Sequence, residues 1–296
     1  MEPGFPSLEE AGIAIIGLGL MGGSFALALR EAGLGHPLIG IDIDAQVRAQ
    51  AAPYFDAVAA DLEPIRRAHL IVLSAPVRAI LQLLPDVASH AAANAIVLDF
   101  GSTKQAVLEA MRRLPPHIQP IGGHPLCGRE QSGFSAARAD LFRGTRFVLT
   151  PLERTSPHAL RFVESLLERL EIRPLPMRAE EHDRLLAVTS HLPYLLSACL
   201  MQVASQNGEK DARLFQVMAS GFRDTSRLAA SDPRMMLDIL MTNRAHVLEA
   251  LSAFQGVLAD LRQWLENEQE ASLEAWMRAN SRQRRDLERF FSAPRL

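Results

Sequence analysis

Cysteine is nearly missing: Cys127 and Cys199 are the only two in 296 residues. Two thiols make neither a disulfide framework nor a zinc site, and such scarcity fits a reducing compartment. Lysine is equally scarce, with Lys104 and Lys210 standing alone among the 31 Lys plus Arg. Chemistry that turns on a lysine amine therefore has two positions at most. An excess of either charge is also absent, since 34 Asp plus Glu leave a net charge of −3. This speaks against a protein that grips nucleic acid by neutralising phosphates. One uncharged stretch, Ala11–Leu29, approaches the length of a bilayer span. Glycines at 12, 17, 19, 22 and 23 interrupt it, and Glu9 and Glu10 precede it where a signal peptide opens with positive charge. The expectation is a cytoplasmic protein with no membrane and no nucleic-acid partner. What remains is ordinary globular composition, 48% hydrophobic and 22% charged, long enough for one or two domains with a buried core.

Short apolar runs alternate with helical patterns through the first half. Ile13–Gly17, Pro37–Asp42, His69–Ser74, Ala95–Asp99, Ile118–Gly122, Arg146–Thr150 and Glu171–Met177 read as strands. Gly22–Ala32, Ala45–Ala52, Val77–Ala92, Gln105–Leu114 and Pro157–Leu170 read as helices. Strands that are apolar throughout, separated by helices, predict a parallel sheet covered on both faces. Past residue 178 strand signals disappear. Leu185–Ser205, Ala212–Ala219, Met235–Phe254 and Gly256–Phe291 place apolar residues at helical spacing. The expected architecture is a doubly wound α/β domain, residues 1–177, followed by an all-helical domain, residues 178–296.

Gly17-Leu18-Gly19-Leu20-Met21-Gly22 follows the first strand and opens a helix, and Asp42 lies twenty residues beyond its last glycine. In that setting a G-x-G-x-x-G is a dinucleotide fingerprint of the Rossmann type. Gly17 permits the tight turn, Gly19 lets the backbone approach a diphosphate, and Gly22 lets helix and strand pack closely. The N–H groups at the helix start attract the diphosphate. Asp42 accepts hydrogen bonds from an adenosine ribose, and with Asp44 beside it would repel a 2′-phosphate, so NAD is expected over NADP. Ser74 and Pro76, where the third strand stops, are assigned to the same cofactor site.

Further polar clusters fall where strands end, the usual ligand edge of such a sheet. Asp99-Phe100-Gly101-Ser102-Thr103-Lys104 ends one strand and opens a helix, so Ser102 and Thr103 are also candidate N-caps. His124 follows the next strand between glycines and a proline, poorly placed for core packing and well placed for a general base. The helical half adds His182-Asp183, Ser190-His191-Leu192-Pro193-Tyr194, Gly221–Arg227 and Ser231-Asp232-Pro233.

In this order and spacing the motifs resemble the prephenate and arogenate dehydrogenases of tyrosine biosynthesis, from Ile13 to about Asn243. The resemblance implies oxidative decarboxylation of prephenate to 4-hydroxyphenylpyruvate with NAD and no metal; the alternative is arogenate, or both substrates in a cyclohexadienyl dehydrogenase. It implies that His124 is the catalytic histidine and that Ser102 helps hold the substrate hydroxyl and the nicotinamide. Arg227 is expected to bind a substrate carboxylate, with Asp224 steadying its guanidinium and Arg223 sharing its helix face. Glu130 and Asp224 are expected at the entrance and interface of the site. Ser190 and His191 match the signature of a helical domain that makes most of a homodimer interface. Tyr194 stands where many members have histidine, and Met236 where many have tryptophan. The chain lacks the length for the regulatory domain some members append, so any feedback by tyrosine would have to act at the active site. A β-hydroxyacid dehydrogenase would need a helical-domain lysine, and Lys210 sits in a turn, Asn207-Gly208-Glu209-Lys210. A non-catalytic NAD sensor would need neither His124 nor Arg227.

Overall fold

Four-residue aliphatic runs build the centre of the sheet. β1 (Ile13–Ile16), β2 (Leu38–Ile41), β4 (Leu70–Leu73) and β5 (Ile96–Asp99) are buried along their whole length. The computed structural model describes residues 6–128 and 131–288. With β3 (Ala57–Ala59), β6 (Gln119–Pro125), β7 (Arg146–Pro151) and β8 (Arg173–Pro176) the sheet has eight strands in the order β3-β2-β1-β4-β5-β6-β7-β8. On one face α1 (Leu20–Glu31), α2 (Ala45–Ala51) and α5 (Pro157–Arg169) enclose a core around Phe25, Phe142, Phe147 and Leu166. On the other, α3 (Val77–His90) and α4 (Gln105–Met111) cover Ile71, Ile80, Val97 and Met111. The uncharged stretch Ala11–Leu29 is thus β1 and α1, inside this domain.

Two features of the sheet depart from expectation. β7 runs antiparallel to β6, with Pro125 opposite Phe147 and Ile121 opposite Pro151. Parallel neighbours need a crossover, usually a helix, and the described residues between them form two short 3-10 turns, Phe134–Ala136 and Ala139–Phe142. The all-parallel reading followed the general alternation and passed over that missing helix. β3 was not anticipated: three residues, none fully buried, on the sheet edge carry little strand pattern.

The second half is helical. α6 (Ala179–Leu186) continues through a π-helical turn, Ala187–His191, into α7 (Leu192–Gly208). Pro193 lies two residues past the end of that turn. Proline cannot donate to the helix ladder and clashes with the preceding turn, and the wider π turn absorbs both problems. Residues 212–217 form a 3-10 turn where an α-helix was expected. α8 (Ser220–Ser226), α9 (Pro233–Thr242), α10 (Arg244–Glu266) and α11 (Glu270–Asp286) follow. The expected helices Met235–Phe254 and Gly256–Phe291 are redivided at Asn243 and at residues 267–269. Asn243 leaves helical geometry because its side chain donates to the Asp183 carbonyl at 2.7 Å and meets His191 Nδ1 at 3.2 Å. Gly256 lies inside α10, where one glycine costs only about 1 kcal/mol relative to alanine.

The helical half buries little by itself. Among the described residues its core cluster has three buried members, Ala187, Val247 and Ala250, and α11 buries none. Phe215, Val217, Met241, Leu258 and Leu265 are exposed. The run Ala179–Gly208 is long and apolar enough, by length and composition alone, to cross a bilayer. So much exposed apolar surface on these helices calls for a partner. The expected outcome is self-association through these helices. Sedimentation at micromolar concentration should show twice the 32.6 kDa chain mass, and a species of 32.6 kDa alone would contradict it.

Candidate active site

The cofactor half is built by glycine. Gly17 adopts φ +93°, and a Cβ there would lie 2.3 Å from the Ser74 carbonyl oxygen. A Cβ on Gly22 would lie 2.0 Å from the Gly17 carbonyl oxygen, whereas one on Gly19 meets nothing within 4 Å. Gly17 and Gly22 are therefore structural, and Gly19 faces open space where α1 begins. No side chain caps α1, so its first-turn N–H groups point at that space. Asp42 ends β2 and spans the turn: its carboxylate accepts Leu18 N–H at 2.8 Å and Asp44 N–H at 2.9 Å. Leu18 itself is core, so it contributes through its backbone, while Leu20, Met21 and Ser74 are half-buried and Pro76 is exposed at the start of α3. The cradle fits a dinucleotide: a close backbone, an uncapped helix start and an acid just past β2 where a ribose would lie.

The reactive half lies at the ends of β5 and β6. Asp183 of α6 reaches into the first domain and caps α4, accepting Lys104 N–H at 2.7 Å and Gln105 N–H at 2.8 Å. Neither Ser102 nor Thr103 caps that helix, contrary to expectation. Thr103 is buried against Thr242, 2.8 Å between hydroxyls, and Ser102 is half-buried in the same turn. The Asp183 carboxylate also meets His182 Nδ1 at 2.7 Å, and His182 Nε2 meets His124 Nδ1 at 2.8 Å.

These partners assign the tautomers. Both Asp183 oxygens already accept N–H bonds, so His182 Nδ1 donates to them. His182 Nε2 is then the acceptor, and His124 Nδ1 is the donor. The lone pair of neutral His124 is left on Nε2. Burial pushes the His124 pKa well below its usual 6.5, helped by His182, Lys104 and His191. Burial likewise lowers His191 to about 4 against the opposing pull of Asp183.

The remaining expected substrate residues are distributed as follows. His191 is buried beside Asn243, Tyr194 is half-buried on α7, and Ser190 is exposed in the π turn. Arg227 and Asp224 are exposed. α8 ends at Ser226 and Arg227 opens a 3-10 turn, so Arg223 and Arg227 do not share one α-helical face as expected. Asp224 contacts Arg223 at 3.3 Å. The Arg227 turn is tied to α7 by Ala229 N–H donating to Ser197 Oγ at 3.0 Å, one helical turn beyond Tyr194. Glu130 lies outside the described residues. Sequence reasoning placed His182, Asp183, Asp99 and Lys104 in motifs without giving any of them a role, and gave Asn243 none. The adjacent His-Asp pair and the rarity of lysine were the available signals.

Comparison with known proteins agrees over both halves. A family model described as prephenate dehydrogenase, nucleotide-binding domain, matches residues 25–174, and one described as prephenate dehydrogenase, dimerization domain, matches residues 178–279. The chain is 32% identical over 266 residues to the prephenate dehydrogenase of Bacillus subtilis, covering 88% of this chain and 72% of that one. It is 36% identical over 256 residues to the cyclohexadienyl dehydrogenase of Zymomonas mobilis, covering 84% and 87%. The solved structure of prephenate dehydrogenase from A. aeolicus in complex with hydroxyphenyl propionate and NAD+ superposes with a TM-score of 0.88 at 28% identity, covering 95% of this chain and all of that one.

The glycine geometry separates two kinds of damage. Gly22→Ala should destabilise the fold by about 1–3 kcal/mol, the usual range for overpacking. Gly19→Ala should leave the thermal melt unchanged and weaken NAD binding. Asp42→Ala should weaken NAD binding and relax the preference against NADP. Melts and cofactor titrations check all three; better turnover with NADP than NAD in the unmutated protein would contradict the role of Asp42.

Proposed function

Because the chain belongs to the prephenate dehydrogenase family, we propose that it carries out NAD-dependent oxidative decarboxylation of prephenate, with His124 Nε2 as the general base. The single observation that carries the reading is the bond path Asp183–His182–His124, which leaves an unprotonated nitrogen at the ligand edge of the sheet. Gly17 to Gly22, Asp42, Ser74 and Pro76 hold the cofactor. When bound, NAD would supply the acceptor for the ring hydride, and loss of the ring carboxylate as carbon dioxide would leave the product aromatic.

His124 takes the ring hydroxyl proton on Nε2 as hydride leaves the ring, and returns it to the same oxygen once carbon dioxide has gone, restoring the phenol. Its Nδ1–H stays on His182, and Asp183 behind His182 steadies the imidazolium that forms, the orienting logic of a nucleophile-base-acid triad applied to a base alone. Ser102 holds the same hydroxyl from the α4 side. The substrate is a dianion, and Arg227 supplies the cation for one carboxylate. Ser190, His191, Tyr194, Asp224 and Glu130 complete the substrate side. His191 is neutral near pH 7 and bonded to Asn243, so it acts by position and not by charge. We divide the chain at residues 177 and 178 into a cofactor domain and a helical domain that pairs with a second copy, and place the enzyme in the cytoplasm. The likeness to the Zymomonas mobilis cyclohexadienyl dehydrogenase supports arogenate as a second substrate.

The experiment is NADH absorbance with prephenate and then with arogenate. Turnover of prephenate is expected; none with either substrate would overturn the reading. His124→Asn should lower turnover about 10²- to 10⁴-fold with the fold intact. Arg227→Ala should remove about 1.5–3 kcal/mol, raising the prephenate KM roughly ten- to a hundredfold without moving that for NAD. A base must be unprotonated to act, and its pKa lies below the usual 6.5, so the acid limb of kcat/KM should fall below pH 6.5.

A further inference from the structure

At Gly123 the sheet runs out of backbone. β5 pairs with β6 only as far as Leu98 opposite Ile121, while β6 continues to Pro125 along β7. The N–H and C=O of Gly123 therefore face a place where no strand remains. Two side chains take over. Asp99 Oδ1 accepts Gly123 N–H at 3.0 Å, and Lys104 Nζ donates to the Gly123 carbonyl at 2.6 Å. The ammonium is paired with Asp99 Oδ2, which also accepts Gly101 N–H at 2.8 Å. Both side chains are fully buried. A Cβ on Gly123 would lie 2.6 Å from the Asp99 carbonyl oxygen and 2.6 Å from the Phe147 ring, so this peptide is gripped with no room to spare.

The same lysine holds the other end of the base. Its backbone N–H donates to Asp183, whose carboxylate orients His182, which in turn holds His124. The bonds close a loop: Lys104 backbone, Asp183, His182, His124, the Gly123 peptide, and back to the Lys104 ammonium. Among the described residues most other cations are exposed arginines; here an unbranched lysine is buried whole. Ion pairs this deep give little net stability over apolar residues of the same size, so stability alone does not account for this one.

We infer that Lys104, paired with Asp99, is a positioning residue that fixes the backbone before His124 and thereby aims its imidazole at the substrate. This rests on reading His124 as the base. Among the described residues, the charged and titratable groups around that imidazole are His182 and Asp183 from α6, His191 from the π turn, and the Asp99–Lys104 pair itself. Burial pushes Lys104 down and Asp99 up, each opposed by the other's charge, and the ammonium is one of the groups that keep His124 neutral.

The test compares Lys104→Met with Asp99→Asn/Lys104→Met in the full-length chain, using thermal melts, KM for NAD and prephenate, kcat, and the pH profile of kcat/KM. Lys104→Met strands a buried carboxyl and should melt lower. The neutral double variant should melt cooperatively, keep the NAD KM, and lose roughly ten- to a hundredfold in kcat, the scale of a base displaced by about an ångström. Its acid limb should rise toward the ordinary histidine value. Parent kcat and an unmoved acid limb in a folded double variant would overturn the inference and leave the pair purely structural. Failure of both variants to melt cooperatively would also overturn it, making the pair a requirement for folding. His124→Asn, assayed alongside, separates the two levels: parent turnover there removes the base reading itself, whatever the Lys104 variants do.

Discussion

One carboxylate, Asp183, has three N–H groups from two domains to satisfy. It ends the helical domain's reach into the sheet domain, caps α4 through two backbone N–H groups, and holds His182. A helix start left unpaired in the interior would be costly, because orphan N–H groups out of water lose their hydrogen bonds outright. Capping α4 from outside makes the docking of the two domains and the aiming of the base a single event. Around it further polar bonds cross between the halves: Thr103 with Thr242, Gln105 with His246 at 3.2 Å, and Arg78 N–H with the Asp238 carboxylate at 3.3 Å. Directional bonds of this kind fix register where a greasy contact would slide.

The two halves of the site use different physics. The cofactor cradle depends on what is absent, a side chain at Gly17, Gly19 and Gly22, so that backbone and helix start come close to a diphosphate. The base depends on what is present, a string of imidazoles and carboxylates whose donors and acceptors allow one tautomer pattern. Burial then holds His124 and His191 neutral, so the proposed mechanism takes its charge at the substrate from Arg227 instead.

Much of this was legible in the residues. Apolar runs placed seven of the eight strands, and the glycine spacing with Asp42 marked the cofactor edge, because period and spacing report local burial and local backbone freedom. His124 stood out by its glycine and proline neighbours. The capping of α4 did not: Asp183 lies 79 residues from Lys104 and 78 from Gln105, and a long-range polar bond leaves no periodic trace. Ser102 and Thr103, good caps by type, were passed over because a carboxylate on another helix was better placed. The helix break at Asn243 was hidden for the same reason, being imposed by Asp183 and His191 and not by its own neighbours. The direction of β7 was readable in principle from the helix missing before it.

The central claim is that Asp183 and His182 leave His124 neutral with its proton on Nδ1. ¹⁵N spectra of histidine-labelled protein, with the His124 signals assigned by their loss in His124→Asn, measure this directly. At pH 7 the account predicts a protonated Nδ1 and an unprotonated Nε2 on both His124 and His182. A proton on His124 Nε2, or a charged His124 ring, would contradict it.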